Sequence, residues 1–304
     1  MQDKILNNDM LIPFGLDKET HTLVDVHSVP NGEACNCICP SCHLPLIARQ
    51  GDINQWHFAH SGNKKKTSEN IEEICQYSFF SSVRMMALQM FGQNLKINLP
   101  SYSAVITDSY NEIKIKEEFV VTEKKTISLT NIETDQSFQG HKVDVIGKVK
   151  DYSFIIVFEY PNKRIPFGLL DLENEKCGII SISLEPTRQL FSDARKTGIS
   201  YKDSLNAYIQ TNLPSKNWLY HPKYKKAERL ARKRLGEKKQ QSIKNYKPDI
   251  DRIVSNYNQS PVNSSDHSGH QVKFHCMQCN KKWQAKENQS LCPECNSPLY
   301  VKRI

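Results

Sequence analysis

Two apolar runs dominate the hydropathy pattern of the chain: His141-Lys142-Val143-Asp144-Val145-Ile146-Gly147, and Phe154-Ile155-Ile156-Val157-Phe158-Glu159-Tyr160. The polar stretch Lys150-Asp151-Tyr152-Ser153 between them predicts a β-hairpin. With Asp151 and Tyr152 as its two-residue loop, Lys150 pairs with Ser153, and the same register sets Asp144 opposite Glu159. One face, with Val143, Val145 and Val149 against Phe154, Ile156, Phe158 and Tyr160, reads as core. Ile146, Ile155 and Val157 surround the two acids on the other. Strands apolar on both faces belong in the middle of a covered sheet.

Elsewhere the period changes. From about Ser68 to Phe91 apolar residues recur at helical spacing (Ile71, Cys75, Phe79, Val83, Met86, Met90), with Thr67 or Ser68 available as a cap. On that helix Glu72 lies about 60° from Cys75 and faces inward, whereas Glu73 lies about 160° away. Residues 11 to 34 read as a short β region. Phe167 to Asp171 and Gly178 to Ile182 read as further strands, Arg188 to Lys196 and Asp203 to Asn212 as helices, and Trp218 to Pro222 as the close of that domain. Tyr220, Tyr224, Ala227, Ala231 and Leu235 mark an amphipathic helix, and Asn256 to Gln271 reads as a flexible linker.

Charge sharpens this picture. The net charge of +8 is concentrated in residues 223 to 247, which carry eleven Lys or Arg against Glu228 and Glu237 and leave the rest of the chain near neutrality. A basic surface confined to one helix suits a polyanion, DNA above all, with Lys225, Lys226, Arg229, Arg232 and Lys233 as candidate phosphate contacts; the bland alternative is a solvated helical face. No apolar run approaches membrane-spanning length, and Met1-Gln2-Asp3-Lys4 lacks the form of a signal peptide, so the expectation is a cytoplasmic protein that engages no membrane.

Eight of the ten cysteines fall in two tight groups, which in such a compartment argues for metal rather than disulfides. In the first, Cys39 and Cys42 form a knuckle, and after fourteen intervening residues His57 and His60 complete four ligands for a closed, structural zinc. Cys35 and Cys37 are surplus; either displaces a histidine, or both pack nearby. In the second, Cys276 and Cys279, twelve intervening residues, and Cys292 and Cys295 form the paired knuckles of a zinc ribbon. Lys281, Lys282 and Trp283 on its middle strand are candidates for contact with a nucleic acid, and a protein partner is the alternative. Cys75 and Cys177 stand alone and read as small buried hydrophobes.

Like charges directly across a strand pair are destabilising, so something positive belongs between Asp144 and Glu159. A hard divalent cation, magnesium or manganese, fits an Asp and a Glu in that setting.

The segment Gly32 to Cys42, with Leu46 to Gly51 and His57-Phe58-Ala59-His60, resembles the N-terminal region of the CoiA-like competence protein family. The resemblance runs over about residues 11 to 165. It implies a zinc-binding region followed by a nuclease-like domain of the PD-(D/E)xK superfamily, whose metal-binding acids fall on Asp144 and Glu159 and whose helix glutamate falls on Glu72. This chain departs from the pattern at Gln76 and Phe80, where the helix tends to carry a histidine and a lysine, and at Pro161, where a lysine or glutamine is usual. Lys142, from the facing strand, and Lys163 are the candidate replacements.

The expected architecture is therefore an α/β (α+β) protein. A zinc-binding β module (1–65) precedes a restriction-endonuclease-like core sheet flanked by helices (66–222). A basic helix (223–255), a linker (256–271) and a zinc ribbon (272–304) follow. The expected activity is metal-dependent phosphodiester hydrolysis on DNA; the alternative is a degenerate nuclease fold that binds nucleic acid or serves as a scaffold.

Overall fold

The computed structural model describes residues 11–61, 75–92, 94–110, 113–169, 176–245, 271–286, 291–295 and 301–303. It is a mixed α+β structure dominated by sheet, in two compact units that divide between Lys244 and Asn245.

The first unit begins with short strands: β1 (Phe14–Asp17) between β2 (Leu23–Asp25) and β3 (Cys37–Ile38), then the antiparallel pair β4 (Leu46–Arg49) and β5 (His57–His60). Helix α1 (Phe79–Met90) follows. The predicted helix over 68–91 is corrected in its observable part: Cys75 to Ser78 is not helical, and residues 68–74 lie outside the described residues. The start at Phe79 has a local cause. Ser78 and Ser81 form a reciprocal capping box, which satisfies two otherwise unpaired backbone donors.

Next come β6 (Asn94–Leu99), the hairpin β7 (Tyr102–Tyr110) and β8 (Ile113–Thr122), and the long β9 (Lys125–Phe138). After β9, β10 (His141–Val149) and β11 (Tyr152–Glu159) form the predicted hairpin. Strand β12 (Cys177–Ser183), helices α2 (Thr187–Thr197) and α3 (Tyr201–Thr211), strand β13 (Lys216–Tyr220) and helix α4 (Tyr224–Asn245) complete the unit. The strand expected from Phe167 is instead a single 3-10 turn, Phe167–Leu169, and residues 170–171 lie outside the described residues.

Among the described residues six strands form one sheet in the order β13-β12-β11-β10-β9-β6, antiparallel except where β11 meets β12. Both faces are covered, as the apolar pattern predicts. Phe154, Ile156, Phe158, Ile180 and Ile182 join a core that includes α1, α2, α3 and the N-terminal strands, while Ile155, Val157 and Ile179 pack on the other side. Residues Ile12, Phe14 and Phe58 of the N-terminal strands lie in the same core cluster as Phe79, Phe191 and Tyr201. The first strands and the sheet therefore share one buried interior.

The hairpin register differs from the expected one by two. Val149 pairs with Tyr152 and Val145 with Ile156, which leaves Lys150 and Asp151 as the loop, with Lys150 at φ 55°. Val149 and Tyr152 have side chains suited to strands and Lys150-Asp151 to a turn, so the ladder closes one residue earlier on that side. Asp144 is consequently not opposite Glu159. Lys142 is exposed and pairs with Ser137 of β9.

α4 lays Ala227, Ala231 and Tyr224 on Tyr102, Phe119 and Val121 of the β7–β8 hairpin, a small separate core. In the second unit β14 (Gln271–Cys276) lies between β15 (Lys282–Lys286) and β16 (Val301–Arg303). The linker expected over 256–271 falls, up to residue 270, outside the described residues, as do residues 246–255 of the basic segment.

Gly147 sits at an irregularity in the β9–β10 register, and a Cβ built there meets the fully buried Leu129 at 2.6 Å. Gly147→Ala is expected to destabilise the first unit by about 1–3 kcal/mol, the usual cost of overpacking. Urea unfolding monitored by tryptophan fluorescence reads this as a lower midpoint; an unchanged midpoint contradicts the packing at Leu129.

Candidate metal and carboxylate sites

The turn after β3, the end of β5 and the segment before α1 bring together four ligand atoms within 4.8 Å of one another: the Sγ atoms of Cys39, Cys42 and Cys75 and a ring nitrogen of His60. Cys39 Sγ lies 3.6 Å from Cys75 Sγ, and Cys42 Sγ lies 3.3 Å from His60 Nε2. These separations are too long for a disulfide. They match the edges of a tetrahedron built on zinc–sulfur and zinc–nitrogen bonds of about 2.3 and 2.0 Å, roughly 3.8 and 3.5 Å. Burial pushes the Cys39 thiol up to about 12, so the thiolate form needs a cation beside it. The donor set, three thiols and an imidazole, fits zinc.

This set corrects the expected one in a single ligand. His57 and His60 both lie on β5, three residues apart, and so face opposite sides of the strand. Only one of them can reach the knuckle. His57 is buried instead, its Nδ1 2.7 Å from the Gln55 carbonyl oxygen, and burial lowers its pKa. Cys75, a residue with no local motif, supplies the fourth donor from the segment before α1. Cys35 and Cys37 take no part: each thiol donates to a backbone carbonyl, of Leu46 and Cys35 respectively, at 3.1 Å.

In the second unit Cys276, Cys279, Cys292 and Cys295 form an equivalent cluster, with Cys276–Cys295 and Cys279–Cys292 sulfur separations of 3.6 and 3.4 Å. Two turns aim the paired thiols, and β14 to β16 hold the turns. Trp283 is half-buried and stacks on Phe274 (centroids 5.6 Å), while the exposed Lys281 pairs with Glu294 at 3.0 Å and Lys282 is exposed.

In the first unit Asp144 of β10 is fully buried. The backbone ladder between β10 and β11 ends at the Val145–Ile156 pair, and beyond it the Asp144 side chain takes over as acceptor, with Phe158 N–H donating to Oδ2 at 2.7 Å. Arg84 of α1 donates through Nε to Oδ1 and through its second nitrogen to Asp135 of β9. Lys163 donates to both Asp144 oxygens at 2.7 Å. The positive charge expected beside this acid is therefore present, as two cations from the chain itself. The second carboxylate joined to it is Asp135, in a left-handed conformation (φ 54°), and not Glu159. Among the described residues the ion pairs of Arg84 and Lys163 go to Asp144 and Asp135.

Burial opposes the charge of Lys163 and lowers its pKa, with the Asp144 carboxylate working the other way; at Arg84 burial acts likewise, but Asp144 and Asp135 outweigh it and raise the value. Pro161, which removes a lysine from the expected motif position, has a constructive role. Lys163 N–H donates to the Tyr160 carbonyl at 3.0 Å and Asn162 has φ 70°, so Tyr160-Pro161-Asn162-Lys163 is a tight turn with proline and a left-handed asparagine in its two central places. The turn folds the chain back on the end of β11 and delivers the Lys163 ammonium to Asp144. Glu159 ends β11, half-buried, its carbonyl accepting from Leu184 N–H at 2.7 Å. Glu72 lies outside the described residues. Arg84 had no motif to announce it.

On α4 the cations divide. Arg234 and Lys238 both pair with Glu117, which points inward from β8, and Lys239 pairs with Asp108 of β7 at 2.8 Å. Arg232 bonds Glu228 one turn earlier. Lys225, Lys226, Arg229 and Lys233 are exposed.

Residues 25–68 match the family model described as competence protein CoiA, N-terminal domain. The chain is CoiA-like in this segment. The CoiA-like segment contains β3, β4, β5 and three of the four clustered ligands, Cys39, Cys42 and His60; Cys75 lies beyond it. No curated protein and no solved structure matches the chain. Among the described residues no helix is long and apolar enough to cross a membrane.

Native mass spectrometry separates the two ligand sets of the CoiA-like cluster. The wild-type chain is expected to carry two zinc ions, Cys75→Ser one and His57→Ala two. Loss of zinc from His57→Ala with retention in Cys75→Ser contradicts the assignment.

Proposed function

We propose that the chain is a metal-dependent nuclease with a PD-(D/E)xK-like core, acting on DNA, and that Asp144 is the centre of its active site. The observation that supports the reading is the environment of Asp144: a fully buried carboxylate at the fork of two central strands, satisfied by Arg84, Lys163 and the Phe158 N–H. Holding one buried and two partly buried charges together is costly compared with an apolar cluster of the same volume, and perturbed charge clusters of this kind are enriched at functional sites.

In this reading Asp144 and Glu159 would hold magnesium or manganese, in exchange for part of the ammonium contact that Asp144 now makes. When bound, the ion supplies charge neutralisation at the phosphate and a more acidic water. The remaining roles belong to the chain. Lys163, on its rigid turn, faces the negative charge that grows on the phosphate. Arg84, anchored on Asp135, keeps the α1 side of the carboxylate fixed. The exposed face of α4, with Lys226, Arg229 and Lys233, tracks the phosphates of the substrate, and each contact releases counterions. The ribbon contributes a further nucleic-acid or protein contact through Lys282. Lys142, exposed and paired through its backbone with Ser137 of β9, has no part in this reading. The alternative, a protein that binds nucleic acid without cutting it, draws support from the completeness of the Asp144 clamp, which leaves no oxygen of that carboxylate without a donor.

Cleavage of single- and double-stranded DNA with Mg²⁺ or Mn²⁺ tests the reading. Lys163→Ala is expected to lower the rate by about 10²–10³, the scale of removing one preorganised donor, and Asp144→Asn to abolish it. Lys142→Ala should cut at the wild-type rate, with circular dichroism confirming that each variant folds. DNA binding without cleavage by the wild type, under either metal, contradicts the nuclease.

A further inference from the structure

The turn that delivers Lys163 to Asp144 runs on through Arg164, Ile165 and Pro166 into the 3-10 turn Phe167–Leu169. Both ends of this segment are fixed. At one end the Lys163 ammonium holds the Asp144 carboxylate at 2.7 Å. At the other, Leu169 is fully buried in the cluster that contains Val143, Ile155, Val157 and Ile179, and its N–H donates to the Pro166 carbonyl at 3.0 Å. Between them Gly168 lies against the imidazole of His141, where a Cβ would stand 2.2 Å from His141 Nε2. Glycine alone permits that approach. His141 and Asp144 lie three residues apart on β10, about 10 Å of strand, so the turn stands at the edge of the carboxylate site.

So anchored, the turn leaves Phe167 88% exposed. A single exposed apolar side chain is ordinary on a protein surface; what sets this one apart is its company. Residues 160 to 169 carry two cations and no acid. Lys163 is committed to Asp144, whereas the exposed Arg164 has neither an ion pair nor a hydrogen bond among the described residues. From Pro161 to Leu169 Phe167 is also the one large apolar side chain that is exposed, so the turn offers none of the apolar area that a protein partner buries. An accessible ring beside an unengaged guanidinium is instead the pairing that a single strand of nucleic acid uses, since each unpaired base has a π-face and each linkage a phosphate.

We propose that Phe167 and Arg164 form a contact for single-stranded DNA at the edge of the Asp144 site, with Phe167 stacking on an unpaired base and Arg164 pairing with the adjoining phosphate. That the contacted strand leads to a phosphodiester cut at Asp144 rests on the nuclease reading above; the stacking chemistry does not. The anchored backbone favours the contact, because a ring carried on a fixed turn loses little freedom when a base settles on it.

Fluorescence anisotropy tests the contact, without added Mg²⁺ or Mn²⁺ so that cleavage plays no part. The probes are a short labelled oligothymidylate and an abasic strand of the same length, which keeps the phosphates and lacks the bases. Phe167→Ala is expected to weaken oligothymidylate binding about tenfold and to leave the abasic strand unaffected, while Phe167→Trp binds as the wild type does. Arg164→Gln is expected to weaken binding of both strands. Both positions are exposed, and circular dichroism checks that each variant folds. Unchanged oligothymidylate binding in Phe167→Ala or Arg164→Gln, equal weakening of both strands by Phe167→Ala, full binding by Phe167→Leu, which keeps apolar bulk without a ring, or no binding by the wild type overturns the contact. Phe167-dependent binding in a protein that cuts no DNA supports the contact and removes the nuclease; intact cleavage beside unaltered binding in Phe167→Ala removes the contact alone.

Discussion

One buried negative charge organises the first unit. An isolated carboxylate in a protein interior is prohibitively unstable, and Asp144, with no exposed surface, obliges three separate parts of the chain to converge on it: α1 through Arg84, the Tyr160–Lys163 turn through its ammonium, and β11 through the Phe158 amide. The convergence fixes local geometry that the apolar pattern leaves free. β10 and β11 part where the side chain replaces a backbone acceptor, β9 adopts a left-handed residue at Asp135 to share Arg84, and the chain reverses at Pro161-Asn162 to return a lysine. Under the proposed function that carboxylate would also have to be held still, and the same contacts hold it.

The zinc cluster serves a complementary purpose. The strands that flank Cys39 and Cys42 and carry His60 are short, two to four residues each. Their ligand Cys75 comes from the segment that leads into α1, the helix bearing Arg84. A metal held by these donors would tie the N-terminal strands to the segment leading into the helix whose side chain reaches Asp144. Tyr77, just after Cys75, adds to the same tie by donating from its hydroxyl to the Phe14 carbonyl at 2.9 Å.

Much of this is legible in the sequence. Continuous apolar runs identify β10 and β11 and their double burial, and the paired knuckles identify the ribbon cluster. What escapes is set by turn geometry and by tertiary contact. The hairpin register turns on whether Tyr152 is a loop or a strand residue, a choice of a few tenths of a kcal/mol. His57 and His60 satisfy a spacing rule for zinc, yet a strand sends them to opposite faces, a conflict visible only once β5 is known to be a strand. Cys75 and Arg84 lie 15 or more residues from the groups they meet, and no local motif marks either. Pro161 misleads in a more instructive way: read as a lost lysine, it is the residue that lets Lys163 take that place.

The account depends on Asp144 exchanging its internal cations for a divalent metal. Electron paramagnetic resonance of Mn²⁺ titrated into the zinc-loaded chain measures that exchange directly. The account predicts a bound Mn²⁺ in the wild type that is lost in Asp144→Asn and tightened in Lys163→Ala, where the competing ammonium is gone. Mn²⁺ binding that persists unchanged in Asp144→Asn, or its absence from the wild type, contradicts it.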